Sequence, residues 1–240
     1  MAKAATSEAR DGARRKRRGS ATDMVGGQVA AYRKERHLKV SELARSVGVS
    51  PSLISQIERG QSQPSVSTLF ALAEALDVPV DAFFAKGADE NGAAKQGSQA
   101  ASSSEPAAAG ATPESGAGTR YVVRRDGRAV IDIEGGVHWE RLTPETLPDV
   151  EFLELVYAPG AESHSELYRH PGSEMVLVLT GRLDIFVGFE RYELGVGDSI
   201  HFPSTFPHRY INPGDEEARA VTVILHDGES PPADRDQRRP

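Results

Sequence analysis

Apolar positions recur at helical spacing through the first part of the chain and alternate at strand spacing through its second half. Met24 to Arg36 places Val25, Val29 and Tyr32 on one face of a helix. Val40-Ser41-Glu42-Leu43-Ala44 opens a second short helix, with Leu43, Ala44 and Val47 at core spacing. Gly48 follows where the chain must turn, a position that favours a residue free to adopt positive φ. Ser50 is a good N-cap and Pro51 a good first helical residue, which predicts a third helix from Pro51 to Arg59. Its inward positions are Leu53, Ile54 and Ile57, and its outward ones Ser52, Ser55, Gln56 and Arg59. Pro64-Ser65 starts a fourth helix carrying Leu69, Leu72, Ala73 and Leu76, and Val78-Pro79-Val80 leads to Phe83-Phe84 in a short closing helix. The expectation is an all-α, five-helix domain over residues 24–85.

From Arg120 to about residue 227 the pattern changes to short alternating runs punctuated by Gly, Pro and Asp. Strand candidates are Val122-Val123, Ala129 to Ile133, Val137 to Leu142, Phe152 to Tyr157, Met175 to Leu179 and Arg182 to Val187. Arg191 to Leu194, Ser199 to Phe202, Phe206 to Ile211 and Arg219 to Leu225 complete them. Many short strands without helical periodicity predict an all-β barrel or double-sheet jelly roll over residues 120–227.

Between the two halves, residues 86–119 are small and polar without periodicity, which reads as a flexible, disordered linker. Residues 1–23 read as a disordered basic arm around Arg14-Arg15-Lys16-Arg17-Arg18, and 228–240 as a disordered tail. The basic run could add phosphate contacts or be a solvated tail. No apolar run follows it, so it does not read as a signal peptide. No apolar stretch is long enough to span a membrane. Net charge is −7, but it is unevenly spread: 14 Lys and Arg against 9 Asp and Glu up to Gly87, then 14 against 26. A basic front and an acidic back fit a nucleic-acid-binding module joined to something else. Cysteine is absent, which excludes disulfides and thiolate metal sites and suits a cytoplasmic protein, nucleoid-associated when bound to DNA.

Two short helices around a Gly-containing turn form the arrangement that sets its second helix in the DNA major groove. Gln pairs with adenine, Ser donates or accepts, and Arg prefers guanine or phosphate. The competing reading is a helical hairpin whose polar face meets only water. The strings SELARSVGVSPSLISQIERG, QPSVSTLFALAEAL and DVPVDAFF resemble, in order and spacing, the Cro/phage-repressor-type (XRE) helix-turn-helix family from Gln28 to Phe84. The resemblance implies base readers at Ser50, Pro51, Ser52, Ser55 and Gln56, and backbone contacts at Lys39, Arg59, Gln61 and Ser62. Pro51-Ser52 departs from members that carry long amides there. Glu58 is expected to brace the domain and not to touch DNA.

In the second half, Tyr168-Arg169-His170-Pro171-Gly172-Ser173-Glu174 continuing to Gly181 resembles the first sequence block of the cupin family, with Tyr168 in the place of the first His. Gly197 to Pro203, then His208 and Asn212, resembles the second block, with Thr205 in place of a usual Gly. The resemblance implies a double-stranded β-helix jelly roll and a ligand site framed by Tyr168, His170, Glu174 and His208. His170, Glu174 and His208 are the metal candidates, a donor set suited to Fe, Mn, Ni or Zn. The alternative is a metal-free pocket that hydrogen-bonds an anionic ligand. A neutral phenol is a poor metal ligand, so Tyr168 is an unpromising fourth donor. His164 and His201 lie nearby in sequence. His201 alternates with Ile200 and Phe202 and is expected on the opposite strand face.

The whole chain resembles small regulators that join an XRE helix-turn-helix to a cupin. That implies a homodimer binding a double-stranded DNA operator, with a small polar metabolite sensed by the cupin, no membrane partner and no catalysis. Cupin edge strands could supply the dimer contact. The competing expectation is a metal-dependent cupin enzyme, an oxygenase or isomerase, fused to a regulatory helical domain.

Overall fold

A computed structural model describes residues 25–84 and 121–226. The expected basic arm, linker and tail lie outside these residues. The first described helix, residues 25–35 (α1), is followed by α2 (Val40–Val47), α3 (Pro51–Glu58), α4 (Val66–Leu76) and a 3-10 turn (Val80–Phe83). Each boundary has a local cause. Gly48 ends α2 at φ 78°, and its N–H bonds back to the helix carbonyls. The Ser50 hydroxyl accepts from the Leu53 N–H and starts α3, with Pro51 behind it. Ser65 does the same for α4 through the Thr68 N–H. Val29, Leu43, Ile54, Leu69, Leu72 and Phe83 fill the core between them. The expected fifth helix is the 3-10 turn, because Pro79 and the short apolar run leave room for a single turn only.

The second half is two antiparallel sheets. Nine strands run β1 (Val130–Ile133), β2 (Val137–Arg141), β3 (Val150–Tyr157), β4 (Ser173–Thr180), β5 (Leu183–Val187), β6 (Glu190–Leu194), β7 (Ser199–Pro203), β8 (His208–Ile211) and β9 (Ala218–Leu225). Six form one sheet in the order β1-β2-β3-β9-β4-β7, and three form the other, β6-β5-β8. Strand β9 joins the two halves of the large sheet by pairing with both β3 and β4. The expectation at Val122-Val123 is corrected: that segment is irregular and leads into a 3-10 turn at Arg125–Gly127. Val122 is exposed and Val123 only half-buried, so the pair buries too little to hold a pleated strand. Along β4 the pleat buries Glu174, Val176 and Val178 and exposes Met175, Leu177 and Leu179. That alternation aims Glu174 inward. Gly181 holds φ 70° with Ala218 so close that a Cβ would lie 2.8 Å from its Cα, so only glycine fits this turn.

The helical domain is seated on the β domain. The Val80 N–H donates to Glu151 Oε1 at 3.0 Å, and the Glu134 N–H donates to the Pro64 carbonyl at 3.1 Å. Arg141 lies 3.8 Å from Asp81 and over the Phe84 ring. Burial pushes the Asp81 carboxyl up to about 6, with Arg141 opposing and Glu151 adding to the rise.

Candidate functional site

The residues expected to contact DNA lie on α3, on the segments that flank it and, for Lys39, at the N-cap of α2. Lys39, Ser50, Pro51, Ser52, Gln56, Arg59 and Gln61 are exposed, and Ser55 and Ser62 are half-buried. Two have local duties as well. Ser50 caps α3, and Arg59 donates to the Gln61 side chain at 3.1 Å. Glu58 is turned away: Arg33 holds it with a two-pronged pair at 2.5 and 2.9 Å, pinning α1 to α3. The result is a face of Ser and Gln side chains flanked by the cations Lys39 and Arg59.

The second site is buried and assembled from distant strands. His170, on the segment before β4, Glu174, on β4, and His208, opening β8, bring one ligand atom each within 4.8 Å of one another. His170 Nε2 and His208 Nε2 each stand 3.5 Å from Glu174 Oε2. None of these three atoms has a hydrogen bond, although all are buried. Orphaned polar atoms in the interior are costly unless something occupies the space between them.

The surroundings fix which atoms are free. His208 Nδ1 lies 2.8 Å from the Phe206 carbonyl and His170 Nδ1 3.2 Å from the Pro171 carbonyl, geometry that places the proton on Nδ1 and the lone pair on Nε2. The Thr222 hydroxyl lies 3.0 Å from Glu174 Oε1, leaving Oε2 facing the two imidazoles. Burial lowers the His208 pKa, so the ring is neutral at pH 7. Burial alone would raise the Glu174 carboxyl, but His170 and His208 bring it below the ordinary range, so it is ionised. A neutral imidazole at His208 and an ionised carboxylate at Glu174 are protonation states a divalent cation requires. The residues therefore fit a metal.

Tyr168 comes to the same place but as a wall. Its ring meets His208 edge-on at 4.6 Å, and burial, with Tyr157 and Glu174, holds its hydroxyl well above the usual phenol value. Tyr210 is held protonated in the same way by burial and the Glu174 charge. Tyr157, Tyr210, Trp139 and Thr222 are interior groups that sequence reasoning missed, because no local pattern marks them. Asn212 is structural: its amide donates to the carbonyls of Tyr157, Ala158 and Glu216. His201 is exposed on the outer face, as expected, and His164 bonds locally to Glu166.

Comparison with known proteins agrees with both halves. A helix-turn-helix family model matches residues 29–83 and a cupin domain model matches residues 153–224. The HTH-type transcriptional regulator SutR of Escherichia coli (strain K12) is 26% identical over 192 residues, 80% of this chain and 89% of that protein. The HTH-type transcriptional regulator SinR of Bacillus subtilis (strain 168) is 43% identical over 58 residues, 24% of this chain and 52% of that one. The crystal structure of an HTH_3 family transcriptional regulator from Vibrio cholerae shares the fold, with a TM-score of 0.58 at 22% identity over 88% of this chain and 99% of that one. Among the described residues no helix is long and apolar enough to cross a membrane. The chain therefore joins an XRE-type helix-turn-helix domain to a cupin domain, and over most of its length it is similar to an HTH-type transcriptional regulator.

Proposed function

We propose that the protein binds a double-stranded DNA operator as a homodimer and that its cupin centre receives a small polar metabolite whose binding changes operator affinity. The observation that carries this reading is the buried trio His170, Glu174 and His208, whose inward atoms are free while their outer atoms are tied down. Such a centre is organised for an occupant. With a divalent cation, Fe, Mn, Ni or Zn, held by those three atoms, a Lewis acid would anchor a carboxylate or similar donor from the metabolite. The phenols of Tyr168 and Tyr210, both kept protonated, would supply hydrogen-bond donors to it. On the DNA side, Ser50, Pro51, Ser52, Ser55 and Gln56 read bases, while Lys39, Arg59, Gln61 and Ser62 hold the backbone. One helical domain offers a short reading helix, and two on a two-fold axis match paired half-sites. The edge strands β1 and β7 of the large sheet are the elements available for pairing two copies.

The two-imidazole, one-carboxylate donor set also favours a second reading, a metal-dependent oxygenase or isomerase with a regulatory helical domain. One experiment separates the two. Metal-loaded protein is screened for small acids and amines that raise its melting temperature, and each hit is assayed for chemical turnover and for its effect on DNA binding. The regulatory reading expects a changed DNA affinity with the compound recovered intact. Turnover with unchanged DNA affinity would establish the enzyme.

A further inference from the structure

The helical domain supplies one wall of the cupin centre. Phe70, in the middle of α4, lies ring to ring on His170 with centroids 4.0 Å apart and planes 4° from parallel. It stacks towards Tyr168 at 5.8 Å and meets Trp139 edge-on at 5.8 Å. Both partners of the stack are buried, Phe70 at 8% exposure and His170 at 6%. A cleft of about 310 Å³ opens beside this contact, between Glu74 and Asp77 of the helical domain and Arg169, Pro171 and His226 of the β domain, with Phe70 and His170 both in its lining. That volume suits a small metabolite, and its mixture of carboxylate, guanidinium and imidazole suits a polar one.

We infer that Phe70 is a gate between the interdomain cleft and the His-His-Glu centre, so that access to the centre and the seating of the helical domain on the β domain form one equilibrium. This rests on the centre being a binding site, as proposed above. The Phe70 ring covers one face of an imidazole whose Nε2 is the atom offered to the occupant. Trp139 holds that ring at its edge, and the rest of α4 is buried through Leu69, Leu72 and Leu76. The ring therefore leaves His170 most readily together with its helix. The polar contacts around it share that motion: the Val80 N–H on Glu151, Asp81 beside Arg141, and the Pro64 carbonyl on the Glu134 N–H all cross between the two domains. Helix α4 also packs against α2, the helix that supports the reading helix, so its displacement reaches the DNA face directly. When only a fraction of molecules is open, uptake into the centre is slowed by that fraction.

The test is Co(II) uptake by the full chain, followed by its visible absorbance after rapid mixing. Phe70→Ala is expected to load at least tenfold faster than the wild type. Glu151→Ala keeps Phe70 but removes the acceptor for Val80, and it is expected to speed loading in the same direction. The double variant His170→Ala/His208→Ala is expected to give no signal. Equal loading rates in the wild type, Phe70→Ala and Glu151→Ala, with one Co(II) still bound per chain, would overturn the gate and leave the binding site standing. Absence of Co(II) binding in all of them would overturn the metal reading of the centre and the gate with it. If circular dichroism shows Phe70→Ala unfolded, the Glu151→Ala rate decides.

Discussion

The reading helix and the cupin centre use opposite physics. The α3 side chains proposed to face DNA are exposed, and their supports lie within a few residues: Ser50 caps Leu53, and Arg59 bonds Gln61. His170, Glu174 and His208 are buried, and beside the local carbonyls of Pro171 and Phe206 they lean on distant groups: Thr222 from β9 and Phe70 from the other domain. An exposed face loses little when one contact is removed, because water replaces it. A buried centre loses the desolvation already incurred by every partner left behind. The difference teaches that substitutions on α3 should change DNA affinity by increments, while those at the centre should be nearly all-or-none.

The sharpest test of that contrast is His170→Ala/His208→Ala. We expect divalent metal binding by calorimetry to be lost while far-ultraviolet circular dichroism and DNA binding by the helical domain persist. Gln56→Ala should come next, weakening operator binding by about 1–3 kcal/mol and relaxing base preference. Arg59→Ala should instead weaken all sequences alike and reduce the salt slope by about one unit. Thr222→Val removes the hydroxyl that orients Glu174 without adding bulk. Metal affinity should fall about 10–100-fold, the usual cost of losing an outer-shell partner.

A smaller effect is expected with pH. The folded Asp81 carboxyl sits at about 6, above its ordinary range, so between about pH 4 and 6 the folded, seated protein binds more protons than the unfolded chain. Stability of the domain contact therefore falls as pH rises through that window and levels off above it. Asp81→Asn should flatten the fall, by on the order of 1–2 kcal/mol, in melting temperatures measured from pH 4 to 7. Glu140 behaves oppositely. Burial opposes its ionisation, but the nearby His138 imidazole, a hydrogen bond from Arg128 and the charge of Arg219 hold it at about 2. Its contribution is complete above the ordinary carboxylate range and is lost as pH falls through about 2, so the two carboxylates can be told apart by acid titration. The smallest effect is Ser65→Ala, which should cost about 1 kcal/mol of helical-domain stability through the lost cap.

What the sequence revealed follows the same division. Caps, the turn at Gly48 and the inward faces of α2 to α4 were legible because helix signals act over three or four residues. The strands were legible because the pleat alternates, and failure came where alternation had no partner, at Val122-Val123. His170, Glu174 and His208 were legible through their block spacing. Thr222 was not, because it meets Glu174 across paired strands 48 residues apart and is one of several β-branched residues on β9. Nor was Phe70, which falls outside the expected stripe of Leu69, Leu72, Ala73 and Leu76 and is buried against His170. Packing between domains leaves no periodic trace in either one.

The most direct test of the central claim is operator affinity, measured by fluorescence anisotropy on a DNA site selected with the protein itself. It is compared with and without a compound that stabilises wild-type protein but not His170→Ala/His208→Ala. We expect a change of about 5–150-fold, the range of a 1–3 kcal/mol coupling, that vanishes in the double variant. An affinity that stays the same when the centre is filled would contradict it.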